Sequence, residues 1–121
     1  NCLSQLALTP TAAARRRGGL VRIRYPDLGR RIVEGHLEGL RRFSARVCLL
    51  TDGEGLDVGP AGEILDRYDL VEGVRLPPAD DDWDWTLAPF GEAAPDHAIV
   101  HRAHGFVDFH AADARFRPPA G

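Results

Sequence analysis

From Leu20 onward apolar and polar side chains alternate: Val21, Ile23 and Tyr25 fall on one side, Arg22 and Arg24 on the other. A period of two predicts a half-buried strand over 20–25. Pro26-Asp27-Leu28-Gly29 then reads as a turn. A second strand is predicted through Ile32–Leu40, with Val33 and Leu37 beside Gly35 and Gly39 on one face and Glu34, His36 and Glu38 on the other. Two glycines inside a strand imply strong bending or close backbone approach. Ala45–Thr51 is an apolar run suited to a central strand, closed by Asp52-Gly53-Glu54-Gly55 as a tight turn. After Gly59-Pro60 the spacing of Ala61, Ile64, Leu65 and Tyr68 turns helical, with Glu63 and Arg67 one turn apart. Leu70–Leu76 returns to strand character and stops at Pro77-Pro78.

The flanks are less periodic. Residues 1–19 offer a short helix over Leu3–Leu8 and end in Arg15-Arg16-Arg17-Gly18-Gly19, a flexible basic lead-in. Residues 79–95, with Asp80-Asp81-Asp82-Trp83-Asp84-Trp85, read as an acidic loop. In 96–117, Pro95 and Gly105 frame a helix, and Phe106–His110 alternates like a strand. The organisation is therefore the lead-in 1–19 and one domain over 20–121, made of a β-rich core (20–77), the acidic loop (79–95) and a C-terminal helix/strand element (96–117). The fold class expected is α+β, mainly antiparallel β, with a small, strongly bent, barrel-like sheet and one or two short helices.

The stretch Val33-Glu34-Gly35-His36-Leu37-Glu38-Gly39, followed by Phe43, Val47, Leu49, Asp52 and Glu54, resembles the first signature of Sm-like proteins. That resemblance implies a small bent β-barrel of the SH3-like kind. The family's RNA pocket calls for an Asp shortly after the second glycine and an Asn two to three residues on, where this chain has Arg41 and Ser44 or Ala45. Its later apolar-Arg-Gly step finds only Val74-Arg75-Leu76. The resemblance thus implies a barrel and does not carry uridine binding with it.

At 121 residues the chain is long enough for one domain without metal or disulfide staples. No apolar run approaches the roughly 18 residues of a membrane span, so integral membrane association is not expected. Asn1 in place of Met predicts a processed or trimmed chain and leaves the compartment open, a cytoplasmic one being slightly favoured. Of the two cysteines, Cys48 is expected to act as a small buried hydrophobe rather than to pair with Cys2. The net charge of −3 conceals a polarity. Residues 1–50 hold ten arginines against Asp27, Glu34 and Glu38, a formal +7, and residues 51–121 hold five against fifteen acids, a formal −10. Every basic side chain is arginine, which a GC-rich coding sequence would also produce, and a guanidinium grips carboxylate or phosphate at two points.

Three constellations could carry chemistry. On a helix, His97, His101 and His104 would share one face and could present three imidazoles to zinc, with Asp108 or His110 helping; on a strand His104 turns away and the cluster dissolves. Trp83 and Trp85 among four aspartates could anchor a partner, and the acidic run would welcome a divalent cation or an arginine-rich surface. Arg22, Arg24, Arg30, Arg31, Arg41 and Arg42 could form a connected anion-binding surface, with only Tyr25 and Phe43 as aromatics nearby. No Ser-His-Asp spacing and no phosphate-binding glycine loop is present. The reading that follows is a non-catalytic binding or adaptor module, without cofactor, whose arginine-rich half meets an anionic partner: nucleic acid, an acidic protein surface, or another copy of itself. Its rivals are a zinc-dependent enzyme or metal-binding protein built on the three histidines, and a barrel enclosing a small ligand under Trp83 and Trp85.

Overall fold

The computed structural model describes residues 3–6, 8–16 and 26–116. Four strands, β1 (Leu49–Val58), β2 (Ile64–Asp69), β3 (Asp81–Ala88) and β4 (Ala98–Phe106), form one antiparallel sheet in the order β2-β1-β4-β3. A turn of 3-10 helix (Leu3–Gln5) and three α-helices, α1 (Leu8–Arg16), α2 (Leu28–Arg41) and α3 (Phe109–Phe116), complete the described chain. The α+β class with an antiparallel sheet is as expected; the barrel is not. The outer strands β2 and β3 remain edges, so the sheet is open.

The largest departure is α2, which occupies the stretch expected to be the second strand and holds the glycine signature of residues 33–39. A four-residue step such as Val33 to Leu37 satisfies both a period of two and one of 3.6, and only the next apolar residue, Leu40, separates them. As a helix, Val33, Leu37 and Leu40 form one stripe on the core, Arg30 pairs with Glu34 outside, and Arg41 pairs with Glu38 at the edge of the packed region. The core joins that stripe to Leu49 and Phe106 of the sheet, Phe109 and Ala112 of α3, Leu3 and Val71. Phe106 and Phe109 meet edge to face at 5.6 Å, and each fully buried large side chain contributes about 1.5–3 kcal/mol.

Other boundaries moved for local reasons. Gly53 and Gly55 lie inside β1, where the register slips between Asp52 and Glu54 as a bulge, so no turn forms there. The helix expected from Ala61 is a hairpin turn followed by β2. The Gly59 amide donates to the Glu63 carbonyl and the Ala61 amide to the Glu63 carboxylate, and Gly62 takes a φ of 81°. In place of a strand over 70–76, both Asp69 oxygens accept backbone amides, from Val71 at 2.8 Å and Gly73 at 2.6 Å, wrapping a turn through Glu72 and Gly73 with φ of 57° and 77°. The acidic loop contains β3, the helix expected over 96–105 is β4, and the strand expected over 106–110 gives way to α3. Cys48 is a free, exposed thiol rather than a buried hydrophobe. The strand expected over 20–25 lies outside the described residues. Among the described residues no helix is long and apolar enough to cross a membrane.

Candidate functional site

Strand alternation sorts the side chains of β4 onto two faces. His104, Arg102 and Phe106 share the face that carries the core; His101 and Ala103 share the other. The histidine triplet is therefore split. His101 Nδ1 lies 3.0 Å from Asp52 Oδ2, His104 Nδ1 2.5 Å from Asp82 Oδ1, and His97 Nδ1 2.8 Å from Asp96 Oδ1 with its Nε2 3.7 Å from Asp57, so no two of these imidazoles share a carboxylate. Among the described residues no group of three or more His, Cys, Asp or Glu side chains is placed to hold a metal ion.

On the core face a charge ladder crosses all four strands. Arg67 of β2 bonds Glu54 of β1 at 2.8 Å, Glu54 approaches Arg102 of β4 at 3.9 Å, and Arg102 grips Asp84 of β3 through two bonds at 2.9 and 3.3 Å. The hydrogen bonds from Arg102 hold the Asp84 carboxyl below its usual range. The same face aligns Thr51, His104 and Asp82 as direct cross-strand partners, a row with the composition of a catalytic triad. Thr51 is buried, however, and its hydroxyl donates to the Asp52 carbonyl at 3.0 Å, so no nucleophile is presented to the imidazole.

The second face is aromatic and acidic. Directly paired positions set Tyr68, Gly55, His101 and Trp85 in a row across β2, β1, β4 and β3. Gly55 is required there: a Cβ would stand 2.0 Å from Tyr68 Cε2, because the phenol ring lies over the glycine. Burial followed by the charge of Asp57 raises the Tyr68 pKa. The Trp85 indole donates to buried Asp52 at 3.0 Å and its ring meets His101 edge-on, while Trp83 lies over Gly105 next to Leu50. Asp52 thus fixes two rings at once. Leu50, Trp83 and Trp85 are nonetheless 56, 41 and 40% exposed, and no helix covers this face among the described residues. It bears Asp52, Asp57, Asp66 and Asp81, whereas both sheet arginines, Arg67 and Arg102, belong to the other face.

A third surface lies along α2. Residues Arg30, Arg31, Glu34, Glu38 and Arg41 of the helix and Arg75 of the following turn border a groove of about 700 Å³. Adjacent arginines differ in role, because one helical step turns a side chain by about 100°. Arg41 is largely buried and tied to Asp113 of α3 by bonds of 2.9 and 3.1 Å. Burial pulls its pKa down, but Asp113 and Glu38 more than offset this and keep it charged. Arg30 is paired with Glu34 at 2.9 Å. Arg31 and Arg42 are exposed with no carboxylate bonded to them among the described residues, as is Arg75, whose guanidinium sits 5.6 Å from the Phe116 ring centroid. Arg22 and Arg24 lie outside the described residues.

Of the residues singled out from the sequence, Arg30, Arg31 and Arg41 fall on α2 along the groove and Trp83 and Trp85 on the second sheet face, whereas Asp52, Tyr68 and Arg75, for which no local signal exists, are brought to these surfaces by the tertiary fold alone. The Asp-Trp-Asp-Trp alternation at 82–85 was the available signal for β3. No family model, curated protein or solved structure matches the chain.

Proposed function

We propose that this protein is a non-catalytic binding module whose α2 groove takes an acidic polypeptide surface. The observation that carries this reading is that Arg31 and Arg75 border one groove of about 700 Å³ with no carboxylate bonded to either among the described residues. Glycines support it. Gly35 and Gly39 lie one turn apart on α2 with open space where a Cβ would be, yet each costs the helix about 0.5–1 kcal/mol relative to alanine. A smooth stripe beside arginines lets a partner backbone come close and accept bidentate bonds.

Charge pattern favours one of the two anionic partners. Glu34 and Glu38 alternate with the four arginines along the groove, leaving two net positive charges. A continuous phosphate backbone would be repelled at every second step, and two net charges sustain only a shallow salt dependence. Among the described residues the groove lining contains no aromatic side chain on which a base could stack. Discrete carboxylates on a folded surface fit this pattern better than nucleic acid.

The test is fluorescence anisotropy of a labelled Asp/Glu-rich peptide and a labelled single-stranded RNA at two salt concentrations. Salt-sensitive peptide binding that is lost in Arg31→Glu/Arg75→Glu is the expected result. RNA binding tighter than the peptide, or peptide binding indifferent to those two changes, would overturn the reading.

A further inference from the structure

We propose that the acidic surface recognised by the α2 groove is the second sheet face of another copy of this chain, so that copies associate head to tail. The inference rests on the groove reading above and names its partner. The two surfaces are complementary in three respects. In charge, one offers Arg31 and Arg75 and the other exposed Asp66 and Asp81, backed by Asp52 and Asp57; among the described residues neither arginine has a carboxylate partner and no arginine stands on that sheet face. In chemistry, a guanidinium stacks well on an indole, and Trp83 and Trp85 present partly exposed rings, Trp85 held in place by Asp52. In shape, an open sheet face is completed by a helical layer, and Gly35 and Gly39 leave α2 smooth enough to approach it. Exposed indoles beside Leu50 form an apolar patch of the kind that marks an interaction surface.

Because the two surfaces differ, their contact is heterologous and leaves one of each unsatisfied at the ends, so growth continues until a ring closes or a filament forms. A two-fold dimer, in which each copy's groove meets the other's sheet face reciprocally, would stop at two. The tryptophans also report on the contact, since both in the chain lie on this sheet face.

Two exposed double variants separate these outcomes: Arg31→Glu/Arg75→Glu removes the groove and Asp66→Asn/Asp81→Asn neutralises the sheet face without making it complementary to the altered groove, with circular dichroism verifying that each is folded. In sedimentation velocity at low salt, the wild-type chain should form a concentration-dependent series beyond the dimer, reversed by high salt. Each variant alone should be monomeric. An equimolar mixture should form dimers and stop there, because each variant lends the surface the other lacks, with a blue shift in tryptophan emission. A monomeric wild type, a variant that still self-associates, or a mixture that stays monomeric overturns the proposal. If the wild type is monomeric but the acidic peptide still binds through Arg31 and Arg75, the head-to-tail contact alone falls; if the peptide also fails, the groove reading falls with it.

Discussion

Replacing Arg41 with alanine should destabilise the protein severely, although neighbouring Arg42 should be dispensable. Arg41 and Asp113 join α2 to α3 with side chains only 18 and 10% exposed. Two unit charges about 4 Å apart at an effective dielectric near 20 attract by roughly 4 kcal/mol, part of which is spent on desolvating them. The variant leaves the Asp113 carboxylate in a nearly closed site, and it also loses the guanidinium 6.0 Å from the Phe109 ring centroid. Breaking a fully buried pair costs about 3–5 kcal/mol; the residual exposure reduces this to roughly 2–4 kcal/mol. That is a large share of the ~5–15 kcal/mol that stabilises a typical domain. The assay is urea unfolding of Arg41→Ala, Asp113→Ala and the double variant, with Arg42→Ala as control. The double variant should cost less than the sum of the singles, with a coupling of about 1–3 kcal/mol. A loss below about 1 kcal/mol for Arg41→Ala, or strict additivity, would refute the strut between the helices.

Three further outcomes follow from the same geometry. Gly35→Ala and Gly39→Ala meet open space and should each raise stability by about 0.5–1 kcal/mol in thermal or urea unfolding; a loss would mean that something packs against α2 there. Gly55→Ala should displace the Tyr68 ring, lower its phenol pKa in an ultraviolet titration on a Tyr25→Phe background, and destabilise by about 1–3 kcal/mol; an unchanged titration would show that burial at Gly55 is not its cause. Asp84, whose pKa is depressed by Arg102, supplies stability present above the ordinary carboxylate pKa and lost as pH falls through its lowered value. Arg102→Ala should return its NMR titration to the ordinary range and flatten that acid limb, the effect on stability being small because the pair is exposed.

How far the sequence could be read depended on whether a residue's signal was local. The apolar run ending at Thr51 does enter a central strand. Glycine misled most. In α2, Gly35 and Gly39 suggested a bent strand, because nothing local shows that a helix can carry two glycines on its open side. In β1, Gly53 and Gly55 suggested a turn, although Gly55 makes room for Tyr68 thirteen residues later and Gly53 sits at a bulge under His104. The histidine face depended on helical spacing, and the strand answer sends His104 to the opposite side from His101. Asp52 illustrates what remained hidden: its two ring partners come from β3 and β4, far along the chain.

Docking at the α2 groove is read most directly by NMR shift mapping on the labelled protein during titration with an unlabelled Asp/Glu-rich peptide. The amides of Arg31, Gly35, Gly39, Gly73 and Arg75 should move together and saturate, with those of the sheet's charge ladder unmoved. Absent shifts, or shifts centred on Arg67 and Arg102 instead, would contradict the assignment of the α2 groove as the docking surface.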